Sequence, residues 1–487
     1  MLPYHKKTGN VKALRSLEIA SSRIGIGFEK LDRAVFDPSK AYDKVAAIGV
    51  KWARIQSGWQ RTETEKGVYH FEWIDEIVEN LLRRGVQPWI CLCYGNKLYD
   101  PEAGKRFGAV GCPPTQTEEQ IRAWHDYVAA LVRRFEGRVT WWEIWNEPDA
   151  PYSWRYNPDP IEYTNFVKQT SAAVHDGSPA AKIIAGAFGS GFIPYSWPCF
   201  VNGLADACDA LSVHTYYSNE ILSDCPIANL KNMIRRYKSS IRLVAGEGGT
   251  QSRPDGCGAF HGQGWNEEKQ AKFMARHMIS HLGEDVMFTS YFSCIDMVEA
   301  LNGLVDNKAS YMDFAYFGVL RAEFDENGFS TGSYSEKPSY RTLQVLSSIF
   351  RGDFTPEEPL LMEFPEWNPR YSTETCPLLE IRRYGFRRSD GSFACVWWKP
   401  VELLRETYEN TVHLTFAGVP PGIPRLIDVT DGSVYEIDPK DVVFNPTKRD
   451  ESLYPPKNDG TDMIRIFNLP VLDRPMLLDF GSFCEAE

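Results

Sequence analysis

The run Val139-Thr140-Trp141-Trp142-Glu143-Ile144-Trp145-Asn146-Glu147-Pro148-Asp149 decides how the rest of the chain is read. It is an apolar, β-prone stretch that stops at an Asn-Glu-Pro turn. Pro148 has no N–H for a sheet ladder and turns the residue before it away from helical dihedrals, so the strand ends there and opens into a loop. Glu147 therefore stands at a strand's carboxyl end. In barrels and open sheets of parallel strands this rim carries the chemistry, because the loops vary while the strands hold position.

Outward from that run, short strand-like segments alternate with helical periodicity. The candidate strands are residues 23–28, 52–56, 88–93, 139–145, 182–187, 210–215, 242–246 and 286–293. Helices are expected near 73–85, 118–135, 161–174, 230–237 and 266–282. In the first of these, apolar residues recur at helical spacing, Arg occupies the last turn and Gly85 is the stop. Eight βα units predict a closed (β/α)8 TIM barrel over residues 23–352, with a closing helix at 337–346. Beyond 352 the period changes to two, with turn signals at Asp390-Gly391 and Asp431-Gly432, which predicts a C-terminal all-β sandwich over 353–487. Residues 1–22 precede the first barrel strand and are expected to pair with that sandwich.

A net charge of −12 and a pI near 5.4 oppose binding to phosphate backbones or anionic membrane and suit a neutral or small substrate. The start, Met1 to Lys7, lacks the apolar stretch of a signal peptide, and no run reaches about 18 apolar residues, so a cytoplasmic protein without a membrane partner is expected. A homo-oligomer stays open. Of 11 cysteines, several, such as Cys91, Cys93 and Cys294, fall in strand-like runs, which suits reduced thiols. Cys91-Leu92-Cys93 has no matching second pair, so no structural zinc is expected.

A second carboxylate occupies a comparable place. Ile241-Arg242-Leu243-Val244-Ala245-Gly246-Glu247-Gly248-Gly249-Thr250 reads as the seventh strand ending in Glu247, with glycines leaving space around it. Only a closed barrel brings the ends of strands four and seven around one cleft. Two carboxyls facing each other across a bond are what acetal hydrolysis requires: one protonates the leaving oxygen, and the other stabilises or captures the oxocarbenium-like centre.

Trp145-Asn146-Glu147-Pro148 after strand four, Glu247 after strand seven, Arg54 on strand two and His214-Thr215-Tyr216 on strand six together resemble the clan A glycoside hydrolases. The run-up through Tyr69, Phe71, Ile74-Asp75 and Gly85 to Pro88 is most similar to glycoside hydrolase family 39, the β-xylosidase and α-L-iduronidase family. The resemblance covers residues 23–350. It implies Glu147 as general acid/base, Glu247 as nucleophile, Asn146 as a ligand for the sugar 2-hydroxyl, and retention of anomeric configuration by double displacement. It also implies that Arg54 and Tyr216 hold Glu247 ionised and that His214 lines the same cleft. As the acid, Glu147 is expected to have a pKa raised by its surroundings and by the Glu247 charge.

Glu143 is assigned to structure. Glu29 past strand one and Asn96 past strand three are candidate readers of sugar hydroxyls, and Trp59, Trp145, Trp154, Trp197 and Trp265 are candidates for stacking on a sugar face. Gly248-Gly249, and Ser290 to Ser293 where clan members often offer Trp, depart from the family pattern. Loops at 111–115, 152–157, 252–265 and 295–335 are expected to wall a pocket, giving an exo preference on short oligosaccharides or glycosides, with no metal or organic cofactor. The rivals are a non-catalytic carbohydrate-binding barrel, an endo-acting glycanase of the same clan, and a metal-dependent sugar isomerase. The last needs a cluster of carboxylates and histidines that the nine His do not outline.

Overall fold

The computed structural model describes residues 6–155, 157–358, 362–363, 381–446 and 462–487. Residues 1–5, Tyr156 of the 152–157 wall, and residues 359–361, 364–380 and 447–461 of the expected sandwich lie outside the described residues. Eight parallel strands close a barrel: β1 Ile24–Gly27, β2 Trp52–Gln56, β3 Gln87–Leu92, β4 Trp141–Ile144, β5 Lys182–Phe188, β6 Ala210–His214, β7 Arg242–Glu247 and β8 Thr289–Tyr291. The outer ring is α1 Tyr42–Ile48, α2 Glu72–Arg83, α3 Glu118–Arg134, α4 Pro160–Gly177, α5 Ile193–Val201, α6 Asp224–Tyr237, α7 Glu267–Gly283 and α8 Pro338–Ile349.

Local chemistry explains these boundaries. In α2, Ile74, Ile77, Val78 and Leu81 form the buried stripe, the helical period seen in the sequence. Helix α3 starts where the Thr117 hydroxyl accepts from the Gln120 N–H and carries Arg133 and Arg134 in its last turn. The sequence reading names neither α1 nor α5. Helix α1 has only seven residues, and α5 carries Pro198 in its interior, so neither shows a long periodic stripe. Trp89, Ile184, Ala210, Val244 and Phe288 form one buried apolar cluster, to which β3, β5, β6 and β7 each contribute.

Among the described residues, the β region contains a seven-stranded and a four-stranded sheet. Lys6–Asn10 is an edge strand of the larger sheet, antiparallel to Ser433–Glu436. The Asp390-Gly391 and Asp431-Gly432 turns each join two antiparallel strands. Along Phe393–Trp398, Phe393, Cys395 and Trp397 enter the sandwich core, while Ala394, Val396 and Trp398 join the barrel's core. The larger sheet is thus buried on both faces, and the second face ties it to the barrel. No helix among the described residues is long and apolar enough to cross a membrane.

All ten described cysteines are free: Cys225 is exposed, Cys257 is intermediate and the others are buried. Burial holds thiols such as Cys112 protonated, with a pKa pushed up to about 12. Thiol titration of native protein should therefore show one fast-reacting group among these ten, and titration after unfolding without reductant should reach at least these ten. A lower count in the unfolded chain would mean that described cysteines are bridged.

Candidate active site

The mouth of the barrel is organised by Arg54, a fully buried residue of β2. Its Nε donates to Glu143 Oε2 at 2.5 Å, Nη1 to Glu29 Oε2 at 2.9 Å and Glu247 Oε2 at 2.8 Å, and Nη2 to Asn146 Oδ1 at 2.9 Å and Cys91 Sγ at 3.4 Å. A planar guanidinium reaches four strands' worth of acceptors where a lysine would satisfy three at most. The second carboxylate oxygen of Glu247 accepts from the Tyr216 hydroxyl. Arg54 balances Glu143, as an arginine inside a barrel would, and holds Glu247 as well.

Glu147 is presented by a backbone that breaks strand alternation twice, since Trp145 and Glu147 have φ of 67° and 49°. Left-handed dihedrals at non-glycine residues cost on the order of 1–3 kcal/mol each and persist where neighbours over-determine them. Here Trp145 N donates to Leu92 O at 3.1 Å and Glu147 N to Ala187 O at 3.0 Å, and the Ser153 hydroxyl donates to Asn146 O. The Glu147 carboxylate lies 2.8 Å from His214 Nδ1 and accepts from the Tyr152 hydroxyl at 2.5 Å. One oxygen of Glu147, one of Glu247 and a His214 nitrogen all fall within 4.8 Å of one another. These three are the described groups placed to ligate a cation, but Arg54 already supplies positive charge to Glu247.

Burial pushes the Glu147 carboxyl up, yet the bond and charge of His214, the Tyr152 hydroxyl and Arg54 outweigh it and hold its pKa below the ordinary value. This corrects the expectation of a raised pKa. The same contact acts on His214 in the other direction: burial would discharge the ring, but the Glu247 and Glu147 carboxylates raise its pKa to about 8. Burial and the nearby Glu247 charge also raise Glu29 to about 8 against the pull of Arg54, and its Oε1 is buried without a partner.

Glu29, Asn146, Glu147, Tyr216 and Glu247 line one pocket of about 330 Å³, at the small end for ligand sites. Its walls come from three of the four expected loops, through Tyr152, through Gly258 and Ala259, and through Glu299, Leu301 and Phe317. The fourth, around Gly111, backs the Tyr152 loop, accepting the Arg155 N–H at 3.0 Å. His214 lies beneath the pocket, joined to it through Glu147.

Three expectations are corrected. Asn96 is not at the pocket: its Nδ2 donates to Glu63 O at 2.9 Å and its Oδ1 accepts from Leu98 N at 2.9 Å, so it braces its own loop. Trp145 is turned outward by its positive φ, buried against Trp124, Trp154 and Phe166, with its Nε1 donating to Ser153 O. None of the five candidate tryptophans lines the pocket; its aromatic lining is Tyr94, Tyr152, Tyr216, Phe292 and Phe317, the last three with centroids 5.5–6.4 Å apart. The glycines beside Glu247 serve close backbone packing as much as open space: a Cβ on Gly249 would lie 2.1 Å from Phe292 O, and one on Gly248 2.7 Å from Thr215 Oγ1. The buried Lys30–Glu299 pair at 2.8 Å was not foreseen, nor was the bond from Tyr152, a residue of an expected wall, to Glu147; only the closeness of Lys30 to Glu29, and of Tyr152 to Glu147, signalled them.

Residues 41–244 match the model of Glycosyl hydrolases family 39. The match contains Glu147 and stops short of Glu247, so the second carboxylate rests on the barrel geometry. A family 39 glycoside hydrolase from the gut symbiont Bacteroides cellulosilyticus WH2 has the same fold, with a TM-score of 0.63 at 19% identity over 97% of this chain and 83% of that one. A monomeric beta-xylosidase from Caulobacter crescentus CB15 gives 0.56 at 15% identity, covering 98% and 97%. The GH39 enzyme from Xanthomonas axonopodis pv. citri gives 0.56 at 13%, covering 97% and 95%. At these identities the likeness is one of fold.

The raised pKa values of His214 and Glu29 contribute to the pH dependence of stability with the same sign. The fold holds protons that the unfolded chain would release, so stability falls as pH rises. For His214 the contribution is complete below its ordinary value of 6.5 and is lost through about 8; for Glu29 a penalty grows from its ordinary 4.5 up to about 8. Between about pH 6 and pH 9 the thermal midpoint of the wild type should therefore change in the falling direction relative to that of a His214→Gln, Glu29→Gln double variant. An equal slope in the two proteins would contradict the placement of these protons.

Proposed function

We propose that this chain, a clan A glycoside hydrolase of the family 39 kind, is a retaining, exo-acting glycosidase with Glu147 as acid/base and Glu247 as nucleophile. The observation that carries the reading is the approach of the two carboxylates within 4.8 Å. Retaining sites hold their carboxyls about 5–5.5 Å apart, whereas inverting sites leave about 6.5–9.5 Å for a water.

Glu247, held by Arg54 and Tyr216, attacks the anomeric carbon as the glycosidic C–O bond breaks. In the resting pair the proton is on His214, 2.8 Å from the Glu147 oxygen that must deliver it. Glu147 takes that proton and passes it to the leaving oxygen. In the second half, the Glu147 carboxylate removes a proton from water, which attacks the glycosyl-enzyme and frees Glu247. Asn146, with its Oδ1 engaged by Arg54, offers its amide N–H groups to the sugar 2-hydroxyl. Glu29 offers a carboxyl to another hydroxyl. The small, walled pocket favours release of a terminal sugar, and a β-xyloside is the substrate class proposed, by likeness to the solved beta-xylosidase fold.

The two carboxylates should fail differently. Glu147→Ala should still be glycosylated by a substrate with an activated leaving group, then stall for want of a base until azide discharges the intermediate to the azide of retained configuration. Glu247→Ala has no attacking group and should be slow with every leaving group, with azide rescuing it only to the inverted product. Proton NMR of the azide products checks both assignments at once: an inverted azide from Glu147→Ala, or a retained one from Glu247→Ala, would reverse them.

A further inference from the structure

The end of β6 and the loop that follows it contact both proposed reacting groups within three positions, 214 to 216, and are anchored as far as residue 220. His214 bonds Glu147 and Tyr216 bonds Glu247. The Thr215 hydroxyl lies 2.8 Å from His277 Nε2 on α7. The remaining anchors come partly from the other domain. Asn219 Nδ2 donates to Pro400 O at 3.1 Å, and the buried Glu220 carboxylate accepts from Trp398 Nε1 at 2.7 Å. Both Trp398 and Pro400 belong to the sandwich.

Glu220 also takes the guanidinium of Arg276 on α7, with Nε 3.0 Å from each oxygen and Nη2 at 2.7 Å. The same arginine reaches the sandwich, its Nη1 donating to Val401 O at 3.0 Å and Asp473 O at 3.4 Å. A buried ion pair of this kind is costly to break from one side, because the partner is left charged without a counter-ion. The loop is therefore pinned four residues beyond Tyr216 by donors from two domains. The sandwich backs a second pocket wall too: Leu403 packs on Trp265 and Phe273, behind the loop that carries Gly258 and Ala259.

We propose that the sandwich is a positioning element of the active site, with Trp398 and Pro400 holding the loop after β6 so that Tyr216 stays bonded to Glu247. The proposal rests on the reading of Glu247 as nucleophile. Hydrogen bonds weaken steeply with angle and with a few tenths of an ångström. A loosened Glu220 anchor therefore reaches the chemistry through the Tyr216 hydroxyl, with no contact between the sandwich and the substrate.

The test is the pH profile of kcat/KM on an aryl glycoside for Trp398→Phe, Asn219→Asp, Tyr216→Phe and the Trp398→Phe, Tyr216→Phe double variant of the full chain. Tyr216→Phe removes a donor to the charged form of Glu247, so the acidic limb should move to higher pH. Trp398→Phe, which removes the N–H at Glu220 together with part of a buried ring, should move it the same way and lower kcat/KM about tenfold, mostly through kcat. Once Tyr216 is already Phe, the same change should cost less than about twofold, because the path it acts through is gone. Asn219→Asp keeps the oxygen that accepts from Ile221 N but loses the donor to Pro400, and carries the same expectation should Trp398→Phe fail to fold. An equal cost of Trp398→Phe in both backgrounds, or lowered thermal stability with unmoved profiles in both loop variants, overturns the brace. If Tyr216→Phe itself leaves the acidic limb in place, the role of Tyr216 fails and the brace falls with it.

Discussion

One buried cation holds the site together. Arg54 has five N–H donors and all five find acceptors, on β1's continuation, β3, β4's end and β7. A guanidinium taken out of water is stable only where carboxylates and amide oxygens replace its hydration, and removing one partner of such a buried group costs about 3–5 kcal/mol. The closure of the barrel is what places acceptors from strands far apart in sequence around one side chain. Arginine is also required by shape, because a flexible ammonium has neither the number nor the planar spread of donors.

Crowding decides where protons reside. Glu29, Glu143, Glu147 and Glu247 are buried close together around Arg54 and His214, and like charges so close do not all ionise. Glu29 keeps its proton into the mildly alkaline range, as His214 does, and Glu147 is a carboxylate beside a charged ring. Environment thus separates chemically identical side chains into different tasks. In the proposed reaction the acid's proton is held one hydrogen bond away from Glu147, so a lowered Glu147 pKa is compatible with the proposed role in protonating a leaving group.

Much of this was legible in the chain itself. Barrel strands show as short apolar runs at βα spacing, so β2 could be read as 52–56, the bounds it has, and the strand-end carboxylates follow from a Pro and a Gly pair. What was hidden depends on backbone turns that local pattern does not encode. Regular alternation puts Trp145 on the same face as Glu143 and Glu147; positive φ at Trp145 and Glu147 throws the indole outward and returns the carboxylate inward. Asn96 carried a signal that was open to reading, an Asn bonding the N–H two residues on, which marks a loop brace rather than a ligand. The Lys30–Glu299 pair joins positions hundreds of residues apart, and only the folded barrel brings them together.

The central claim is that Arg54 and Tyr216 keep Glu247 ready to form a covalent bond with the sugar. An activated 2-deoxy-2-fluoro derivative of the glycoside turned over fastest slows hydrolysis more than attack, so the glycosyl-enzyme accumulates and its peptide can be identified by mass spectrometry. The predicted result is a single sugar adduct on Glu247. An adduct on Glu147 or Glu29, or inactivation by no such reagent together with an inverted hydrolysis product, would contradict it.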